Sequence, residues 1–176
     1  EEWVVKANKT LEFTKNKFFC DESGMFYYTS DEHDNIIVRK MELTDGVIPS
    51  SGAVMAENLM RLGVYYRNEG YLAMAYQMVS NLYSQFQKGG PYVYRWASSY
   101  LMHLLEPAEL FASGDMAIET LKGILNKTNH PFIVPVQFIE NSRLPIAKYA
   151  VEPNTIKVCL GKACQKPTDD LMEVIE

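Results

Sequence analysis

The stretch Ser50–Arg67, S-S-G-A-V-M-A-E-N-L-M-R-L-G-V-Y-Y-R, decides the fold. Ala53, Ala56, Met60, Gly63 and Val64 recur at helical spacing, and Val54, Leu59, Leu62 and Tyr66 widen the apolar stripe. Only Glu57, Asn58 and Arg61 clearly need water. Ser50 or Ser51 supplies the oxygen that caps the helix start. Downstream, a third helix starts at Gly70 or Tyr71 and puts Leu72, Ala75, Val79, Leu82 and Phe86 on one side. Gly89-Gly90 ends it, and Pro91 opens a fourth helix carrying Val93, Trp96, Ala97, Tyr100, Leu101 and Leu104, which Pro107 stops. Helices joined by such short turns are antiparallel neighbours, that is, helical hairpins. Upstream, Glu2–Phe18 carries Trp3, Ala7, Leu11, Thr14 and Phe18 on one helical face.

Past Pro107 the pattern changes. Leu110–Ser113 reads as a strand, Gly114 as a turn, and Met116–Lys127 as a helix with Ile118, Leu121 and Leu125 inward. Phe132–Ile139 and Thr155–Leu160 read as strands and Asp169–Ile175 as a closing helix, so a small, partly parallel sheet follows the helices. The expected fold is mainly α, with antiparallel helical hairpins over residues 1–106 and a small α/β subdomain over 107–176.

Composition narrows the function. The 176 residues are 47% hydrophobic and 22% charged, ordinary for a globular chain with a real core. A net charge of −5 argues against nucleic acid, because no basic stripe stands ready to displace phosphate counterions. No apolar run approaches the roughly 18 residues of a spanning helix, so no membrane role is expected. Three cysteines are too few for a disulfide scaffold and suit a reducing, cytoplasmic setting. The chain begins with Glu1 inside a helical pattern, which suggests a piece of a longer protein.

Candidate chemistry gathers in the polar segment Gly24–Ala56, long for a connector. Met25–Thr29 and Ile36–Lys40 suit a short hairpin with Asp31–Asn35 at its tip. There His33 stands among Asp31, Glu32 and Asp34, whose charge favours its protonated form and suits general acid–base work. Arg39 is placed to clamp a carboxylate or phosphate, or else the whole tip is simply solvated. Asp45, Ser50 and Ser51 lead into a helix N-terminus, whose unpaired N–H groups attract anions and hydroxyl oxygens. The alternative is that the serines cap the helix and Asp45-Gly46 closes a turn.

Cys159 and Cys164 flank Leu160-Gly161-Lys162-Ala163. With Gly161 and Lys162 at the centre of a tight turn, Leu160 pairs with Ala163 and the cysteines face each other at about 4.5 Å between α-carbons. That register suits a disulfide or two reduced thiols. Zinc fits poorly, since His103 and His130 stand at no recognisable ligand spacing. Gly114 alone does not make a dinucleotide-binding turn. The eleven tyrosines and Trp96 serve either as sugar-stacking faces or as core.

Several of these features occur together in one family. F-x-x-D at Phe18–Asp21, His33 with Arg39, Asp45-Gly46 with Pro49-Ser50, and C-x-x-x-x-C-x-x-P at Cys159, Cys164 and Pro167 resemble the spermatogenesis-associated, thioredoxin-domain-containing proteins. The resemblance runs from about Phe18 to the end of the chain. It implies a thioredoxin-like domain followed by a six-hairpin α/α toroid similar to those of epimerases and glycosidases, of which this chain is the last part. The family has Asn where this chain has Gly52, so any contact made by that Asn is lost.

Two functions follow as expectations. The first is a fragment of a carbohydrate-active or epimerase-like toroid, inactive alone, with His33 and Asp45 as catalytic candidates and Arg39, Ser50 and Ser51 binding a sugar-like ligand. The second is a non-catalytic module docking a thioredoxin-like domain, with Cys159 and Cys164 as redox contacts. Neither requires a cofactor or metal, and surfaces left by missing hairpins favour self-association.

Overall fold

The computed structural model describes residues 1–32, 37–128, 130–148, 153–161 and 163–168. His33, most of the expected tip Asp31–Asn35, Lys162 and the expected helix Asp169–Ile175 lie outside the described residues. The chain is mainly α with a small mixed sheet, and it forms two compact units. One comprises Glu2–Gly63 and Asn68–His103; the other comprises Glu1, Val64–Arg67 and the chain from Leu104.

The helical unit opens with α1 (Glu2–Phe18), followed by the short strands β1 (Phe19–Cys20) and β2 (Met25–Phe26). Of the expected α1 face only Leu11 is buried, while Trp3 is 78% exposed. The buried Tyr71 accounts for the rotation, because its hydroxyl needs acceptors. It donates to Glu12 and lies 3.0 Å from Asn8 Oδ1, which turns the Asn8–Glu12 side of α1 inward. Met25–Phe26 pairs antiparallel with Phe19–Cys20, and of the expected partner Ile36–Lys40 the described residues 37–40 form no strand. Gly24, at φ +65°, turns the chain back, and Phe19 meets Phe26 edge to face at 5.0 Å. Towards the other segment the backbone bond is Tyr28 N–H to Lys40 O, at 2.8 Å.

Helix α2 (Ser51–Tyr66) buries Ala53, Ala56, Leu59 and Met60 as its pattern requires. Helix α3 (Glu69–Leu82) begins at Asn68, whose side chain accepts from Tyr71 N–H at 3.2 Å. Gly63 makes room for the following helix: a β-carbon there would sit 2.7 Å from Leu72 Cδ2. The third helix ends at Leu82, earlier than its pattern suggests. A 3-10 turn over Tyr83–Gln85 and the short α4 (Phe86–Gly89) continue the path. In a 3-10 turn residues three apart eclipse, which lines Tyr83 and Phe86 up against the ring of Tyr100. Pro91 sits in a second 3-10 turn before α5 (Tyr94–Leu104), which buries Trp96, Ser99 and Met102 and leaves Leu101 exposed, where an inward Leu101 was expected.

In the second unit, β3 (Ala108–Ala112), α6 (Ala117–Leu125), β4 (Ile133–Gln137), β5 (Ile156–Leu160) and β6 (Ala163–Cys164) form a sheet of order β4-β3-β5-β6 with one helix. Strands β3 and β4 are parallel, joined through α6; the other pairs are antiparallel. Leu110, Ala112 and Ile156 pack with Ala117, Leu121 and Ile124 of α6. Ile118, expected inward, is exposed, and Ala117 and Ile124 take the buried positions. The alternation of strand side chains sends Glu109, Phe111, Lys157 and Cys159 to the opposite face.

Gly52 stands where a larger side chain would clash. A β-carbon there would lie 2.9 Å from Trp96 Cζ2 and 3.1 Å from Glu42 O, and Trp96 is fully buried. Gly52→Asn is therefore expected to destabilise the protein by about 2 kcal/mol through overpacking, read as a lower midpoint in urea unfolding.

Candidate functional site

The loop before α2 folds its own carboxylates onto the helix start. Asp45 is 2% exposed; its Oδ1 accepts from Ser50 N–H and its Oδ2 from Arg95 N–H, each at 2.8 Å. Its own N–H donates to Tyr92 O at 2.7 Å. Glu42 Oε2 accepts from Ser51 N–H at 2.7 Å. The anion-attracting end of α2 is thus met by two carboxylates of this chain, and Asp45 serves the start of α5 as well. Ser50 Oγ is buried with no hydrogen-bond partner among the described residues, so the cap is made by Asp45 and Glu42 rather than by the serine hydroxyl.

Arg39 also turns towards the chain. Its Nη2 donates to Thr29 O at 2.8 Å and Lys17 O at 3.1 Å, and its Nε to Thr29 O at 3.2 Å. The guanidinium lies 4.1 Å from the centre of the Tyr27 ring. A cation on Lys17 O, in the last turn of α1, suits the negative end of that helix. Beside it, hydrogen bonds from Ser23 and Tyr27 hold the Cys20 thiol below the usual thiol range. The free Cys20 was not singled out as a site residue, and its environment depends on the β1–β2 pairing.

The second unit brings together a different set. Cys159 faces Cys164 and Leu160 faces Ala163, the expected register. The two sulfurs form a closed disulfide, with α-carbons 4.0 Å apart, where reduced thiols were the other reading. Cys159 is buried on β5, and Cys164 is exposed on the edge strand β6. A cavity of about 310 Å³ adjoins them, lined by Arg67, Glu109, Phe111, Lys157, Cys159, Gly161 and Cys164. Glu109 sits opposite Cys159 across the β3–β5 ladder and is 4% exposed. Arg67 grips both of its carboxylate oxygens, with Nη2–Oε2 at 2.6 Å. Such a fork matches a carboxylate in plane, which Lys would not do. Arg67 ends α2 at φ +50°, a left-handed turn uncommon outside glycine. At the hairpin turn, Gly161 is also at positive φ and has the Glu106 carboxylate packed against it.

Sequence reading passed over Arg67 and Glu109. The available signal was A-E-L-F-A, a lone charge inside an apolar strand, which is rarely buried unless paired. Among the described residues no cluster of His, Cys, Asp and Glu is arranged to hold a metal ion, and no helix is long and apolar enough to cross a membrane. No protein-family model, curated protein or solved structure matches this chain.

Two measurements probe these groups. Asp45→Ala leaves two backbone N–H groups without their charged acceptor and is expected to cost about 3 kcal/mol in chemical unfolding, with Asp45→Asn losing less. Arg67→Ala strands the Glu109 carboxylate in a buried position. A loss of about 3 kcal/mol is expected, at the low end for buried pairs because Arg67 is itself 36% exposed, and Arg67→Met with Glu109→Met should recover most of it.

Proposed function

We propose that this chain is an interaction module that docks a thioredoxin-like domain and exchanges its Cys159–Cys164 disulfide with that domain's dithiol. The observation that carries the reading is the hairpin disulfide itself. It lies at the sheet edge, with one cysteine exposed, beside a cavity walled by Arg67, Lys157 and Phe111. In a cytoplasmic setting, which the low cysteine content favours, a disulfide of this kind is transient and serves catalysis or sensing. The chain's resemblance to thioredoxin-domain-containing proteins supplies the partner class. The helical hairpins then belong to an α/α toroid, and the chain performs no sugar chemistry.

The carbohydrate-active or epimerase-like alternative has less support. It needs Arg39, Asp45, Ser50 and Ser51 to turn polar groups towards a ligand. Asp45 instead receives two backbone N–H groups, Ser51 N–H is taken by Glu42, and Arg39 donates to backbone carbonyls.

The test counts thiols. The oxidised protein is mixed with a reduced thioredoxin-type domain, and new alkylation sites at Cys159 and Cys164 are followed by mass spectrometry. Reduction at least tenfold faster than by dithiothreitol at equal thiol concentration is expected, since docking presents the thiolate to the disulfide. A rate no faster than the small dithiol rejects the proposal.

A further inference from the structure

We infer that this disulfide opens in one direction: the incoming thiolate attacks Sγ of Cys164, and Cys159 leaves as a thiolate beside Lys157 and the Arg67–Glu109 pair. The inference rests on the thiol–disulfide reading above and adds which sulfur departs and what holds its charge.

The two cysteines are inequivalent in access. Displacement at sulfur runs along the S–S axis, so the attacker approaches from the side opposite the leaving sulfur. Cys164 lies on the edge strand and is exposed, whereas Cys159 is 4% exposed on β5, between β3 and β6. Approach to Cys164 is from solvent. In-line approach to Cys159 must come from the β3 side, where buried Glu109 stands opposite it.

They are also inequivalent in charge. Among the described residues, the groups facing Cys159 are Glu109 directly across the ladder, Arg67 bound to it, Lys157 two positions back on the same face of β5, and Glu106 at the Gly161 turn. Glu109 alone would oppose a thiolate here. Arg67 neutralises it by gripping both oxygens, and Glu106 is exposed and screened by solvent. Lys157 makes no ion pair among the described residues and so leaves the cavity wall with net positive charge. A nearby cation favours the thiolate, and a better-stabilised leaving thiolate departs faster.

The electrons balance as follows. The partner's first thiolate forms a bond to Cys164 Sγ while the Cys159–Cys164 bond breaks, its electron pair going to Cys159 Sγ. The partner's second thiolate then attacks its own mixed-disulfide sulfur and releases Cys164. The partner's dithiol is oxidised, the hairpin is reduced, and two protons pass from the partner's thiols through solvent to Cys159 and Cys164.

The experiment uses the oxidised protein carrying Cys20→Ser and a thioredoxin-type domain whose second active cysteine is serine, which arrests the exchange at the mixed disulfide. Acid quenching and peptide mapping are expected to find the partner on Cys164 in at least about tenfold excess over Cys159. Lys157→Gln is expected to slow capture roughly fivefold, with Lys157→Arg restoring the rate. In Cys164→Ser protein, Lys157→Gln should also raise the pH at which the Cys159 thiolate absorbance appears, a change that a merely structural Lys157 would not produce. Capture mainly on Cys159 overturns the direction while leaving the exchange reading intact. An unmoved rate and titration overturn the role of Lys157. No capture on either cysteine, with dithiothreitol still opening the hairpin, overturns the exchange reading itself. The mapping keeps Lys157 in place, so it decides the direction even if the Gln variant fails to fold.

Discussion

One carboxylate organises the helical unit. Asp45 lies where the starts of α2 and α5 meet, and gives one oxygen to each. The first N–H groups of a helix have no partner within it, and their combined dipole carries partial positive charge. A single buried anion therefore answers two ends at once and fixes the spacing between them. A second charge link reinforces it further along: Glu57 of α2 pairs with Arg95 of α5 and with Arg61 of its own helix. The loop is drawn in with Asp45, and Leu43 O receives the indole N–H of Trp96 at 3.0 Å. Packing then follows, because Trp96 can fill the core only against a residue as small as Gly52.

The sheet unit solves a related problem by pairing. Every residue of β3 is buried, so its alternation separates two environments rather than core from water. One face is apolar and covered by α6. The other carries Glu109, an expensive group to bury, and the end of α2 provides the guanidinium that makes it tolerable. Tyr65 adds a hydrogen bond to Pro135 O at 3.1 Å, so Tyr65 and Arg67 both hold Val64–Arg67, part of the sheet unit, onto this sheet. The disulfide and its cavity lie on the same face as that ion pair.

Much of the fold was legible because it rests on local rules. The spans of α1 and α2, the strand–helix–strand order and the cysteine register follow from periodicity, glycine placement and turn length. The inward faces of α1, α5 and α6 were less legible. They depend on what each helix meets, as Tyr71 meeting Asn8 and Glu12 illustrates. Arg39 and Asp45 looked like ligand groups because charged loops before helices often are. Arg39 Nε and Nη2 and both oxygens of Asp45 meet backbone groups, most of them distant in sequence, such as Arg95 N–H, which no local pattern reports. The pairing of Arg67 with Glu109, 42 positions apart, was hidden for the same reason.

The cysteine pair has a thermodynamic consequence that follows from its short span. Its partners are only five positions apart, so even a denatured chain keeps their sulfurs near one another. On chain-entropy grounds a crosslink of this size restrains the unfolded ensemble by about 2 kcal/mol, less than half of what a bond across a hundred residues contributes. It is a weak staple. Against a total stability of about 5–15 kcal/mol its loss would still be felt, so opening the bond would be read in the fold as well as in the thiol count.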